Sequence, residues 1–283
     1  MILKDYYWYF QAALDDETCD KIIERGKERM GEEIEKYGED AIVAQVGGRA
    51  SVYNFGEDNT PEISSRKISQ QGKTKEQLVT EGVTLEDTFA RDSYVSFFSD
   101  VWIYKVLHEY LKQANINAGW NYEVDFSEPL QYTEYKSKGL SGEGQFYGWH
   151  CDGQFGEYKL YNEENIEHQN TAWLRDKEGE KINGLNGKPQ FVDNSWTNNT
   201  DWDKKLRKLS ITVNLTNPGE YSGGEFEIDR GPHFGNERYY TVTEIRPRGS
   251  IIVFPAFVYH QVTPITWGER KSLVMWTMGP KWR

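Results

Sequence analysis

The fold is decided by residues 250–278, SIIVFPAFVYHQVTPITWGERKSLVMWTM. Two runs in this stretch, 250–254 and 271–278, are rich in Val, Ile and aromatic residues, a composition typical of β-strands. Pro255, Pro264 and Gly268 interrupt the sequence between them, as turn residues do. The second run alternates, so every second side chain lies on one face of its strand. The stretch therefore predicts short strands joined by tight turns.

The same pattern extends back to about residue 119. Comparable runs, each bounded by Gly, Pro or Asn, occur at 129–135, 145–151, 209–216, 224–228 and 239–246. Many short strands separated by turns predict a β-sandwich or a jelly roll. Residues 156–205 interrupt the series. This segment is polar but contains Trp173, Trp196 and Trp202, and we interpret it as a surface insertion, either a passive loop or a lid that contacts substrate.

The first 118 residues are expected to support this core, mainly with helices. Asp15 and Asp16 are candidate N-caps of a first helix, and a second helix is predicted from about residue 100 to 114. Between them, residues 41–55 predict a strand pair around Gly47-Gly48, and residues 56–90 predict a loop. The apolar positions that recur at helical spacing are Cys19, Ile22, Ile23 and Met30 in the first helix and Trp102, Ile103, Val106, Leu107, Tyr110 and Leu111 in the second.

Composition excludes several classes of protein. The 283 residues carry 33 Lys+Arg and 45 Asp+Glu, a net charge of −12, which argues against nucleic acid or an anionic membrane as the main partner. The sequence contains no apolar stretch of the roughly 18 residues that a membrane helix needs. Its first residues do not resemble an export signal, and two cysteines, Cys19 and Cys151, are too few for a disulfide scaffold. A cytoplasmic location is the resulting expectation.

A possible metal site begins at His150 and Asp152. On a strand these two side chains project to the same face, while Cys151 projects to the other. Such a His-x-Asp pair is weak evidence alone, because it arises often by chance. His260, near the end of a later predicted strand, is a third candidate ligand. Two histidines and one carboxylate on one face form the facial triad of non-haem Fe(II) oxygenases. The alternative for His260 is a structural core histidine.

Arg270 and Ser272 share a face of the strand that follows His260. A buried arginine needs an anionic partner, and its planar guanidinium matches a carboxylate at two points. These side chains are therefore candidates for holding the far carboxylate of a dicarboxylate that chelates the metal. The alternative is an exposed arginine in the turn Gly268-Glu-Arg-Lys271.

Several segments together resemble the Fe(II)/2-oxoglutarate-dependent dioxygenases, in particular their prolyl 4-hydroxylase-like branch. These segments occur in the family's order: Gln131-Tyr-Thr-Glu-Tyr135, Gln145-Phe-Tyr-Gly-Trp-His-Cys-Asp152, Arg207-Lys-Leu-Ser-Ile-Thr-Val-Asn-Leu215, Ser222-Gly-Gly-Glu-Phe226 and Gly249 to Trp276. The helical start Leu14 to Ile23 is also similar. The resemblance covers roughly residues 125–280.

The resemblance implies a single domain over 1–283, with N-terminal helices packed on one sheet of a double-stranded β-helix, a cupin-like jelly roll. It implies Fe(II) held by His150, Asp152 and His260, with 2-oxoglutarate and O₂ as cosubstrates and ascorbate as a further expected cofactor. The remaining implied contacts are Arg270, Ser272, Tyr135 and Asn214 with 2-oxoglutarate, and Tyr147 and Trp276 with the prime substrate.

The function expected from this resemblance is hydroxylation of an unactivated C–H bond, with a peptidyl residue such as proline as the first candidate substrate. The long insertion departs from compact relatives and leaves a small-molecule substrate open as well. A second hypothesis is a jelly-roll module that binds carbohydrate or protein without catalysis. A third, a nucleic-acid demethylase of the same superfamily, is disfavoured by the charge of −12. The oligomeric state is not predicted.

Overall fold

A computed structural model describes residues 5–47, 89–138, 144–153, 159–160, 196–197 and 204–282. The helices are α1, Asp16–Tyr37, and α2, Val101–Asn117, and short 3₁₀ helices span Glu39–Ile42, Pro218–Glu220, Pro232–Glu237 and Thr243–Ile245. The strands are β1 Trp8–Phe10, β2 Val43–Gly47, β3 Phe89–Phe98, β4 Phe126–Ser127, β5 Leu130–Lys136, β6 Phe146–His150, β7 Lys159–Leu160, β8 Trp196–Thr197, β9 Lys205–Asn214, β10 Tyr221–Gly223, β11 Phe226–Asp229, β12 Tyr239–Thr241, β13 Ile251–Pro255, β14 His260–Val262 and β15 Ile265–Pro280.

Within the described ranges, thirteen strands form one curled antiparallel sheet. Its order is β1-β13-β9-β15-β5-β3-β6-β14-β11-β12, with β2 added beside β3 and both β4 and β10 beside β15. Strands that are distant in sequence are thus neighbours, as a jelly roll requires. This topology confirms the predicted fold class, a mainly β jelly roll with flanking helices.

The two faces of the large part of this sheet differ in chemistry. On β9, Leu209, Ile211 and Val213 belong to a core shared with both helices. The alternate residues Ser210, Thr212 and Asn214 point to the other face and are also buried. The same alternation on β5 and β15 puts further polar side chains inside the roll, namely Gln131, Thr133, Arg270 and Ser272. Burying a polar group is costly unless it has a hydrogen-bond partner. Ser210 Oγ, Asn214 Oδ1 and Arg270 Nη1 have none among the described residues, so the inner face is a candidate surface for a ligand.

Helix α1 begins and packs as its sequence predicts. Asp15 is its N-cap, because its carboxylate accepts a hydrogen bond of 2.8 Å from the backbone N–H of Thr18. The buried positions Cys19, Ile22, Gly26 and Met30 recur at helical spacing and face the sheet. The helix ends before Gly38, whose φ of 90° suits glycine. Helix α2 buries Ile103, Leu107, Leu111 and Ala114 in the same core, while Trp102 of the predicted stripe remains 38% exposed.

Gly26 provides a test of how closely α1 approaches the sheet. A Cβ at this position would lie 2.3–2.7 Å from ring atoms of Tyr132, which is fully buried on β5. We expect Gly26→Ala to lower the free energy of unfolding by about 1–3 kcal/mol, since overpacking displaces the ring or the helix. The matched control is Gly31→Ala, where nothing lies within 4 Å. That control should stabilise the protein by roughly 0.5–1 kcal/mol through helix propensity. Urea unfolding of both variants measures the difference, and equal stabilities would contradict the close contact.

Of the strand pair predicted at residues 41–55, the described residues contain only the first strand. Val43–Gly47 does form a strand, but it pairs with β3, with Val43 opposite Tyr94 and Ala44 opposite Ser93. Residues 48–55 lie outside the described residues. Strand β3 itself was not predicted, and its first residues fall at the end of the segment interpreted as a loop. The first 118 residues therefore contribute strands to the sheet as well as helices around it.

The strand predicted at 239–246 is shorter than expected. Strand β12 stops at Thr241, and Thr243–Ile245 forms a 3₁₀ helix in which Ile245 is buried. The apolar residues that suggested a longer strand thus reach the core from a helical turn. Most of the insertion at 156–205, including Trp173 and Trp202, lies outside the described residues, so its role as a lid stays a prediction.

Candidate metal centre

Strands β6 and β14 bring two of the predicted ligands together. The strands are antiparallel, and His260 is the register partner of His150 although the two are 110 residues apart in the sequence. Their rings are 4.2 Å apart between centroids. Asp152 lies two residues beyond the last residue of β6. The strand pairing thus explains why a short His-x-Asp motif and a distant histidine meet at one place.

The three side chains form a compact donor cluster. The distance from His150 Nε2 to Asp152 Oδ1 is 3.6 Å, and that from His260 Nε2 to Asp152 Oδ2 is 3.7 Å. Donor atoms of all three residues lie within 4.8 Å of one another. The side chains of Asp152 and His260 are each 6% exposed and that of His150 is 15% exposed. The cluster is therefore enclosed, and His150 is its most exposed member.

Both imidazoles are oriented by backbone carbonyl groups. Nδ1 of His150 is 2.7 Å from the carbonyl oxygen of Gly148, and Nδ1 of His260 is 2.9 Å from that of Val258. A carbonyl oxygen can only accept, so Nδ1 carries the proton in each ring and Nε2 keeps its lone pair. In each ring Nε2 is also the atom nearer to Asp152. This is the orientation that metal-binding histidines adopt.

The electrostatics of the cluster suit a cation. Burial lowers the pKa of His260, and the nearby His150 lowers it further. Asp152 raises this pKa, but the net result is a value of about 4, so the ring is neutral at neutral pH. Burial opposes ionisation of Asp152, but His260, His150 and Arg207 outweigh it and lower the pKa of that carboxyl below its ordinary range. Two imidazoles and one carboxylate are the donor set of a non-haem Fe(II) site, which leaves other coordination positions for substrates. The residues present therefore fit iron.

Arg270 lies on the inner face of β15, in register with Tyr135. It is only 2% exposed, and its Nη1 has no hydrogen-bond partner among the described residues. Its guanidinium carbon is 5.8 Å from the ring centre of Tyr135, and a cavity that also reaches Tyr221, Gly224 and Phe226 adjoins it. An unpaired buried guanidinium is a site for an anion. The exposed turn considered as the alternative for Arg270 is therefore wrong.

The other predicted cosubstrate contacts surround Arg270. Tyr135 and Ser272 are 4% and 2% exposed, and Ser272 is in register with Asn214. The side-chain amide of Asn214 donates to the carbonyl oxygens of Thr216 and Arg246, at 3.1 Å and 2.7 Å. Its Oδ1 has no partner among the described residues. Asn214 can thus offer an acceptor to a ligand, whereas its donors already fix the end of β9.

Tyr147, predicted to contact the prime substrate, lies against the predicted metal ligand His150. Its ring stacks on that of His150, with centroids 3.4 Å apart and planes 11° apart. Burial raises its pKa to about 12, so it remains a neutral phenol. Trp276, the second predicted substrate contact, is 8% exposed. Its Nε1 and the Oγ of Ser210, the residue opposite it in register, both lack hydrogen-bond partners among the described residues.

Arg91 is a functional candidate that the sequence analysis missed. It is 7% exposed, and its guanidinium carbon lies 4.6 Å from the centre of the Tyr147 ring. Its Nε donates to Ser93 and its Nη1 reaches Gln131 at 3.4 Å, but its Nη2 has no partner among the described residues. Arg91 therefore offers a donor close to the metal cluster. The alternation of Arg91 and Ser93 on a strand was the one signal for it in the sequence.

Comparison with known proteins finds a family match in the C-terminal third. Residues 188–278 match the family model of the 2OG-Fe(II) oxygenase superfamily. The chain resembles the 2OG-Fe(II) oxygenases. The predicted recognition is thereby confirmed. The matched segment contains His260 and Arg270, whereas His150 and Asp152 precede it. Their place in the site rests on the geometry above.

Among curated relatives, the chain is similar to PKHD-type hydroxylases. One from Nitrobacter winogradskyi is 39% identical over 69 residues, which is 24% of this chain and 27% of that protein. One from Burkholderia ambifaria is 42% identical over 74 residues, which is 25% of this chain and 29% of that protein. The matches thus span little more than a quarter of the relatives' length.

Two solved prolyl hydroxylase structures align along almost the whole chain. The viral collagen prolyl hydroxylase of Paramecium Bursaria Chlorella virus-1 has a TM-score of 0.45 and 15% identity, covering 98% of this chain and 97% of that one. A prolyl-4-hydroxylase from Pseudomonas putida has a TM-score of 0.46 and 13% identity, covering 97% and 92%. Separately, no helix in the described ranges is long and apolar enough to cross a membrane.

Proposed function

We propose that the chain is an Fe(II)- and 2-oxoglutarate-dependent dioxygenase that hydroxylates an unactivated C–H bond. The observation that carries this proposal is the enclosed cluster of His150, Asp152 and His260. The buried guanidinium of Arg270, whose Nη1 has no partner among the described residues, lies on the same inner surface of the roll. Iron with 2-oxoglutarate would supply the oxidation: O₂ and the 2-oxo acid are consumed, one oxygen atom enters the substrate, and succinate and CO₂ are released.

The chain's own residues would bind and orient the reactants. His150, Asp152 and His260 would hold the metal, and Arg270 with Ser272 would hold the far carboxylate of 2-oxoglutarate. The ring centre of Tyr135 lies 5.8 Å from the guanidinium carbon of Arg270, and burial raises the pKa of its phenol, so it would act as a neutral hydrogen-bond donor. Around them the apolar core of the roll, including Phe226 and Phe254 beside His260, would exclude water from the reacting centre.

For the prime substrate we propose a peptidyl residue, with proline as the first candidate. The support is the similarity to PKHD-type hydroxylases, which covers about a quarter of the chain. The inner wall also offers polar atoms of Arg91, Ser210 and Trp276 that have no partner in the part of the chain that the structure describes. Two N–H donors and a hydroxyl are groups that bind backbone carbonyl oxygens or a carboxylate. A small molecule rich in acceptors fits the same groups.

The competing function is a jelly-roll module that binds carbohydrate or protein without catalysis. A pure binding module has no need of two histidines oriented through Nδ1, a carboxylate between them and a buried arginine nearby. These four features favour the enzyme. The helices and the large sheet share one core, which supports treating the chain as a single domain.

The test is release of succinate from 2-oxoglutarate. Purified protein would be given Fe(II), 2-oxoglutarate, O₂ and ascorbate, first alone and then with a panel of proline-containing peptides and free amino acids. We expect slow succinate release alone, stimulation by the true substrate, and a gain of 16 Da in that substrate by mass spectrometry. Absence of iron-dependent succinate release from correctly folded protein would favour the binding module.

A further inference from the structure

Asp152, unlike the two histidines, lies outside the strands. Strand β6 ends at His150 and strand β14 starts at His260, and the two residues are register partners. The backbone ladder therefore fixes both histidines. Asp152 lies two residues beyond β6 and belongs to no strand. The position of its carboxylate therefore depends on the conformation of the turn that contains it.

Hydrogen bonds connect that turn to two neighbouring residues of β9, Arg207 and Lys208. The backbone carbonyl oxygen of Asp152 accepts a hydrogen bond of 3.1 Å from Nη1 of Arg207. The N–H of Gly153 donates to the carbonyl oxygen of Ala256 at 2.6 Å, and the N–H of Ala256 donates to that of Lys208 at 3.0 Å. The turn is thus tied to Arg207 directly and to Lys208 through one intermediate.

Arg207 is itself held in a fixed position. Its Nε and Nη2 donate to the two carboxylate oxygens of Glu128, each at 2.6 Å, and its guanidinium carbon lies 4.1 Å from the ring centre of Trp276. The Glu128 side chain is 4% exposed. The backbone of Glu128 is also held by hydrogen bonds. Its N–H donates to the carbonyl oxygen of Trp276, and its carbonyl oxygen accepts from the hydroxyl of Tyr104. Such a two-point pair fixes the plane of the guanidinium and therefore the direction of Nη1.

We propose that Arg207, oriented by Glu128, is a positioning residue that sets the place of the metal ligand Asp152. The fork geometry explains the choice of arginine. Two of its nitrogens bind the carboxylate while the third reaches the Asp152 carbonyl oxygen, which a lysine ammonium on a flexible stem cannot reproduce. The inference rests on the metal centre of the proposed function and extends it to residues that do not touch the metal.

The alternative is that the Arg207–Glu128 pair contributes only to folding. Metal binding separates the two roles, because a merely structural pair changes unfolding but not the affinity of a folded site. Two variants are needed. Arg207→Lys keeps the positive charge but loses the fork. The double variant Arg207→Met with Glu128→Gln removes both charges, so that neither is left buried without a partner.

The control is Lys205→Met on the same strand. It removes the ion pair of Lys205 with Asp125, at 2.5 Å, whose side chains are 31% and 34% exposed. The measurements are titration of the metal-free proteins with Co(II), the absorption spectrum of bound Co(II), and thermal unfolding without metal. We expect both Arg207 variants to bind Co(II) about 10- to 100-fold more weakly with an altered spectrum, as seen when groups that orient metal ligands are removed. Lys205→Met should bind like the unaltered protein.

Unchanged Co(II) affinity and spectrum in Arg207→Lys and in the double variant would overturn the proposal. If the double variant does not fold, Arg207→Lys decides alone. Failure of the unaltered protein to bind Co(II) would instead overturn the metal centre, and the inference with it. The two failures are therefore distinguishable in one set of titrations.

Discussion

Replacing Asp152 with alanine is expected to abolish iron-dependent turnover of 2-oxoglutarate and to weaken metal binding by more than about 100-fold. The estimate is a lower bound, because losing even a group that only orients a ligand costs about 10- to 100-fold. Within the described ranges the cluster contains one carboxylate, so no neighbouring acid replaces it. His150→Ala and His260→Ala should have the same effect, since each leaves two donors where a stable facial site needs three.

The measurement is thermal unfolding with and without Co(II) or Fe(II). A metal that binds only the folded protein stabilises it by about 2.7 kcal/mol at a hundredfold excess over the dissociation constant. The unaltered protein should show this shift and the three alanine variants should not. His233→Ala is the control, because this histidine is exposed and lies outside the cluster. Near-normal metal stabilisation and turnover in any one ligand variant would remove that residue from the site.

The sequence predicted the candidate metal ligands only in part. Residues two apart on a strand share a face, which predicted that His150 and Asp152 lie together. Asp152 in fact lies two residues beyond β6, so the turn after that strand sets its position. Alternation on β15 placed Arg270 and Ser272 on one face of the strand, but it did not predict whether that face is buried. His260 required the family resemblance, since its register with His150 is set by the pairing of β14 with β6. The structure brings all of these residues to the inside of one roll.

The parts that sequence reasoning missed depend on distant pairing. Strand β3 lies between β5 and β6, yet its neighbours start more than thirty residues later in the sequence. Its partner β2 was assigned to a hairpin, because a glycine pair beside a strand resembles a tight turn. Arg91 was overlooked with β3. Nor does any motif connect Arg207 to Glu128, which are 79 residues apart.

The second large effect is expected at Arg270. Arg270→Ala should raise the 2-oxoglutarate requirement much more than it changes stability. Losing one partner of a buried charge pair costs about 2–5 kcal/mol, which corresponds to roughly 30- to 5,000-fold in affinity. The folded protein should tolerate the change. Nη1 of Arg270 has no partner among the described residues, so its removal leaves no hydrogen-bonding group of the protein unpaired there. The measurement is KM for 2-oxoglutarate beside thermal unfolding. Lys271→Ala is the control, since this neighbour pairs with Glu269 at 3.1 Å instead.

A substrate analogue makes this prediction specific to the far carboxylate. 2-Oxovalerate has the same chain length as 2-oxoglutarate but ends in a methyl group. If Arg270 binds the far carboxylate, the unaltered protein should prefer 2-oxoglutarate to 2-oxovalerate by about the same factor by which Arg270→Ala weakens the affinity for 2-oxoglutarate. The variant should hardly distinguish the two acids. The reason is that the substitution and the analogue remove the same interaction. If Arg270→Ala keeps the full preference, the carboxylate is bound elsewhere and Arg270 lies outside the cosubstrate pocket. If the variant loses turnover with both acids while its unfolding is unchanged, the arginine acts on the metal centre rather than on the cosubstrate.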